Sequence, residues 1–183
     1  MRKKDDTLRD TLLGLAREVA EEQGPEAINI RDIARRAGVA TGTVYNYFSG
    51  KDELLLALTE DCWREALGEL ETAIPPGRVS DRLGEVFRLL RRQMDAPGGR
   101  LMGHLGGSGA AGPARMAAAQ RQLAGIILGM LEEDREIPPD SWSPVLTREA
   151  VAGLLTRELV TLLRVRADSP ALLVAVAERM LYK

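Results

Sequence analysis

Apolar residues recur along this chain at intervals of three and four, the period of helices with one buried face. Over residues 7–23, Leu8, Leu12, Leu15, Ala16 and Val19 share one face with Arg and Glu opposite, and Gly24-Pro25 supplies a stop. Asn29 is a good N-cap for a second helix, with Asp32 in capping-box position and a stripe of Ile30, Ile33, Ala34 and Ala37. Gly38 ends that helix by tolerating φ > 0. After a few residues the pattern predicts a short third helix over 41–47, with Val44 and Phe48 inward. A fourth begins near Lys51 and runs through Leu54, Leu55, Leu58 and Leu67 until Pro75-Pro76-Gly77.

The remainder repeats this grammar. Ser80 is expected to cap a helix through Val86, Phe87, Leu89 and Leu90, ending before Pro97. A weak segment at 101–105 leads into the small-residue stretch "GGSGAAGPA", and Pro113 suits the first turn of a helix reaching Glu133. Beyond the break "EIPPDSWSP", Pro144 is expected to open a long helix to Arg166, and Ser169-Pro170 to cap a last one reaching Leu181. No stretch alternates with period two between turn signals, so the expectation is an all-α chain of about nine helices.

Composition changes this picture little. A chain of 183 residues is long enough for a buried core, and 45% hydrophobic with 28% charged residues argues against global disorder. Cys62 is the single cysteine and His104 the single histidine, so no disulfide and no zinc or iron cluster is expected; neither a cofactor nor a metal is predicted. "MRKKDDTLRD" leads into charge rather than an apolar signal segment, and no run of about 18 apolar residues is seen, so the expectation is cytoplasmic with no membrane span. The formal net charge of −2 gives no global attraction to nucleic acid. Locally it differs: between Asn29 and Lys51 stand Arg31, Arg35, Arg36 and Lys51 against Asp32 alone.

Within that basic stretch lies "TGTVYNYFSGKDELL", where Tyr45, Tyr47 and Phe48 are interleaved with polar residues. Two helices joined by a tight Gly-containing turn, the second short and half polar, describe a helix-turn-helix whose second helix enters the DNA major groove. Thr41 and Thr43 offer hydroxyls and methyls to base edges, and Asn46 offers an amide. Tyr45 and Tyr47 carry phenols suited to phosphate oxygens, and Gly42 lets backbone approach closely. Lys51 lies in the first turn of the next helix, where free N–H groups also favour a phosphate. Phe48 packs inward.

The stretch "INIRDIARRAGVATGTVYNYFSGKDELLLAL" resembles the signature of the tetracycline-repressor (TetR) family of bacterial transcription regulators. The matching elements are Ile33-Ala34, Ala37-Gly38-Val39, Gly42-Thr43, Tyr45, Tyr47-Phe48, Lys51 and Leu54, and the likeness covers residues 7–60. It implies a DNA-binding domain over 5–65, with the helix-turn-helix at 29–48, followed by an effector-binding and dimerisation domain over 66–183. It also implies DNA-contacting positions at Arg31, Thr41, Gly42, Thr43, Tyr45, Asn46, Tyr47 and Lys51, and a ligand-responsive repressor of a palindromic double-stranded operator. One departure is Ala40, where the family usually has a Ser-like cap; Thr41 or a water must then serve the first N–H groups. The family's effector site makes Phe87, Met102, His104, Met116, Gln120 and Trp142 candidates to line a pocket for an unknown small molecule.

The last two helices, 145–166 and 170–181, are apolar around most of their girth and therefore need burial on more than one side. The family pairs such helices into a homodimer, and Leu173 and Val176 are expected to face the partner. Two other readings stay open. "GSGAAG" at 107–112 matches a dinucleotide-binding fingerprint in letters, which a preceding strand would support and which would make the chain a helical nucleotide-binding enzyme. An interaction protein of the same fold without salt-sensitive DNA affinity is the other.

Overall fold

The computed structural model describes residues 6–96, 99, 101, 102 and 112–182. Among these are eight α-helices and no strand: α1 (Asp6–Gln23), α2 (Ile30–Arg36), α3 (Thr41–Tyr45), α4 (Lys51–Ala73), α5 (Val79–Asp95), α6 (Gly112–Glu133), α7 (Arg148–Arg164) and α8 (Ala171–Leu181). Of the weak segment at 101–105, Leu101 and Met102 form a 3-10 turn, and 103–105 lie outside the described residues.

The helices form two compact units, one of residues up to Trp63 with the described part of 94–116, the other of 64–93 with 117–182. The first is built on a core of Leu12, Ala16, Ile33, Val44, Phe48, Leu54 and Leu58, each at most 2% exposed. Burial of such side chains stabilises by roughly 1.5–3 kcal/mol each, which holds the short helices α2 and α3 in place. Leu101 belongs to this core, and the Trp63 indole N–H donates to the Met102 carbonyl at 3.3 Å.

In the second unit Leu67, Leu83, Leu90, Leu123, Ile127, Leu155, Leu159, Ala177 and Leu181 are buried. Three details depart from expectation. Helix α5 opens at Val79 rather than after a Ser80 cap, because its first amide finds acceptors far along the chain. The Val79 N–H donates to Asp134 Oδ2 and to the Tyr182 hydroxyl, each at 2.8 Å, and Ser80 is buried inside the helix. Helix α7 opens at Arg148, not Pro144, since Ser143–Leu146 closes a turn (Leu146 N to Ser143 Oγ, 3.0 Å) and Thr147 caps through Ala150 N at 3.2 Å. Leu173 packs into the unit at 6% exposure, so it is a core residue and cannot face a partner.

Candidate nucleic-acid interface

The segment 29–51 is fixed locally before it is fixed by packing. The Asn29 side chain accepts the Arg31 amide at 2.9 Å, as an N-cap does. At the other end of α2, Gly38 at φ 68° lets Gly38 N reach Arg35 O (3.2 Å) and Val39 N reach Ala34 O (3.0 Å). These two bonds are a Schellman close, which a glycine at that position makes cheap. Ala40 follows in extended conformation as the N-cap of α3, with no side-chain bond to offer. Thr43 N donates instead to the Ala40 carbonyl at 2.8 Å.

Val44 and Phe48, at 0% and 2% exposure, anchor α3 to the core and so dictate which residues face away. Gly42, Tyr45 and Asn46 are exposed, Thr41 and Thr43 half-buried, and Tyr45 is 53% exposed despite its size. Tyr47 is half-buried and leans on the core. The aromatic cluster is therefore graded from Phe48 inside, through Tyr47, to Tyr45 outside. Arg9 of α1 sits over the Phe48 ring at 5.7 Å.

Charge around α3 is arranged by a few contacts. Arg31 is exposed beside the start of α2. Asp32 takes both Arg35 and Arg36, the latter at 2.8 Å, rather than closing a capping box; those hydrogen bonds, Arg35 first, hold its carboxyl below the usual carboxylate range. The Lys51 ammonium donates to the Glu26 carbonyl at 2.5 Å, which ties α4 to the turn between α1 and α2. A lysine has three donors, so this one bond does not exhaust it. Sequence reasoning missed this tie, because its acceptor is a backbone carbonyl 25 residues away.

Residues 12–58 match the family model described as bacterial regulatory proteins, tetR family. The chain thus carries a tetR-type segment. Its tetR-type segment is 37% identical over 62 residues to an uncharacterised HTH-type transcriptional regulator, YvdT, of Bacillus subtilis, covering 34% of this chain and 32% of that one. It is 37% identical over 78 residues to the HTH-type transcriptional regulator BetI of Klebsiella pneumoniae, covering 41% and 40%. The match thus spans about a third to two fifths of these curated relatives. A likeness of fold extends further: the structure of RolR without ligand superposes at a TM-score of 0.68 with 22% identity, covering 95% of this chain and 90% of that one. A TetR/AcrR regulator from Thermobifida fusca gives 0.61 with 19% identity, covering 96% of each.

Of the six residues expected at an effector site, five are described. Phe87 and Met102 are buried, Met116 and Gln120 half-buried, and His104 lies outside the described residues. Trp142 lines an open cleft of about 440 Å³ with Glu132, Ser143, Thr147, Arg148 and Glu149, and Arg148 stands over its ring at 4.6 Å. A second cleft, of about 480 Å³, runs between α4, α5 and α6, and none of the five described ones lines it. Among the described residues no group of three or more His, Cys, Asp or Glu is placed to hold a metal, and no helix is long and apolar enough to cross a membrane. Apart from Gly112, the "GSGAAG" stretch lies outside the described residues.

Proposed function

We infer that the chain is a cytoplasmic transcriptional repressor that binds a palindromic operator as a homodimer and releases it when a small molecule occupies the second unit. The observation that carries this reading is the outward face of α3, with Gly42, Tyr45 and Asn46 exposed on a helix anchored by Val44 and Phe48. Within the tetR-type segment, Thr41, Thr43 and Asn46 read base edges, joined by Arg31 at the start of α2. Tyr45, Tyr47 and Lys51 hold phosphates, and Gly42 admits close approach of the backbone.

The dimer forms through α7 and α8, which pack on each other. Leu154, Val165, Leu172 and Val176 are large apolar residues left exposed there, Leu172 at 79%. Release follows if the effector prefers the conformation in which two recognition helices no longer fit successive major grooves. The curated relatives named above are regulators, which favours this reading over a nucleotide-binding enzyme. The test is the salt dependence of binding to duplex DNA: the reading expects affinity to fall steeply and linearly in log–log form with added salt. Absence of any salt-sensitive affinity contradicts it and returns the chain to an interaction protein of the same fold.

A further inference from the structure

We propose that the cleft between α4, α5 and α6 binds a singly charged amphipathic anion, a carboxylate with an apolar body, through Arg82. The proposal gives a chemical class to the effector of the preceding section and rests on that reading only for its consequence at DNA. The cleft, of about 480 Å³, falls in the range of small-molecule sites.

Arg82 lies on the apolar stripe of α5 beside Val79, Leu83 and Val86, where a hydrophobic residue would be ordinary. It is 9% exposed, and its Nε is buried with no partner among the described residues. Nη1 donates to Glu133 Oε2 at 3.0 Å, but the Glu133 side chain is 62% exposed, so solvent screens it and leaves it free to swing aside. A largely buried guanidinium whose Nε–H is unmatched calls for a further acceptor. A planar carboxylate fits that fork in two-point fashion. Glu71 and Glu133 also line the cleft, and they disfavour a second negative charge on the ligand. The buried cation still governs the head group: a charge pair in partly buried surroundings is about fourfold stronger than one in bulk water at the same distance.

The apolar body has its own place. Leu70 and Met130 are buried at 1% and 2% exposure and Ile126 flanks them, all lining the cleft. Gly125 and Gly129, one turn apart on α6, leave the wall bare, since a Cβ at either would meet no atom within 4 Å. Glycine inside a helix is unfavourable, and nothing packed nearby requires it here. Open space over these two positions is what an alkyl or aryl group would fill.

Decanoate, decan-1-ol and decylammonium share a tail and differ in head charge, so calorimetric titration of the full chain without DNA separates the contributions. Decanoate is expected to bind at least tenfold more tightly than either of the others. Gly125→Leu should abolish its binding while circular dichroism shows the helices intact, because the new side chain enters open space. Arg82→Met should erase the preference for the carboxylate. No decanoate binding, equal binding of decylammonium, or binding indifferent to Gly125→Leu overturns the assignment. These outcomes involve no DNA and leave operator recognition standing; failure of the wild-type protein to bind duplex DNA would remove that reading and leave the cleft assignment intact.

Discussion

Single residues decide how well α3 is held and, on the proposed function, what it reads. Ala40 already has the extended backbone of an N-cap and lacks only the side-chain acceptor. Ala40→Ser should therefore raise unfolding stability by about 0.5–1 kcal/mol in a urea titration, and an unchanged midpoint would mean that the first N–H groups of α3 are already satisfied. Asn46 and Lys51 should separate by role. Asn46→Ala is expected to relax preference at one operator position at about 1–3 kcal/mol, while Lys51→Ala weakens all sequences alike and lowers the salt slope by about one unit. Because Lys51 also holds the Glu26 carbonyl, its removal should be accompanied by a small loss of stability that Asn46→Ala does not share. Equal losses on every sequence after the Asn46 change contradict this division. The local geometry around these positions was legible in the sequence because cap, turn and short helix lie within a few positions of one another. The Glu26 tie was not, since a backbone carbonyl carries no side-chain signal.

At the scale of elements, local rules located α1 to α4 well and misplaced the openings of α5 and α7. Ser80 looked like a cap because capping logic sees near neighbours, whereas the Val79 amide is satisfied from 55 and 103 residues away. Those acceptors belong to a clamp: the Tyr182 hydroxyl donates to Asp134, and the Arg78 guanidinium covers the Tyr182 ring at 4.0 Å and reaches Glu178 at 2.8 Å. The clamp fastens the end of α8 to the start of α5. Tyr182→Phe should cost about 1–2 kcal/mol of stability at neutral pH through the lost hydrogen bonds. Burial, followed by the Asp134 hydrogen bond and charge, pushes the Tyr182 phenol well above its ordinary value of 10.0. A folded pKa raised above the unfolded one gives stability present below pH 10 and lost as pH rises above it. The gap between wild type and Tyr182→Phe should accordingly narrow in alkaline buffer, and a gap independent of pH would contradict the clamp.

For the whole molecule, an all-α fold with a tetR-type segment was legible from helical periods and one compact motif, but the burial of particular residues in the last helices was not. Leu173 and Val176 look alike in an almost uniformly apolar helix; only packing shows Leu173 at 6% exposure and Val176 at 48%. Leu173→Glu should therefore unfold the protomer, whereas Val176→Glu should leave it folded and split the proposed dimer. Symmetry introduces that charge twice at the interface, at a penalty of several kcal/mol per dimer. Sedimentation is expected to show a folded monomer for Val176→Glu with operator affinity lost in step, because the two half-sites of a palindrome lie about 34–36 Å apart or a multiple of that. A wild-type monomer at micromolar concentration that still bound a palindrome tightly would rule out α7 and α8 as the interface. The central claim, that the exposed face of α3 reads DNA, is tested most directly by selecting bound duplexes from a random-sequence pool with wild-type protein and with Asn46→Ala. The account predicts a palindromic consensus for the wild type, with preference relaxed at one symmetric pair of positions in the variant. A wild-type pool that stays random after repeated rounds, or a consensus identical for both proteins, would contradict it.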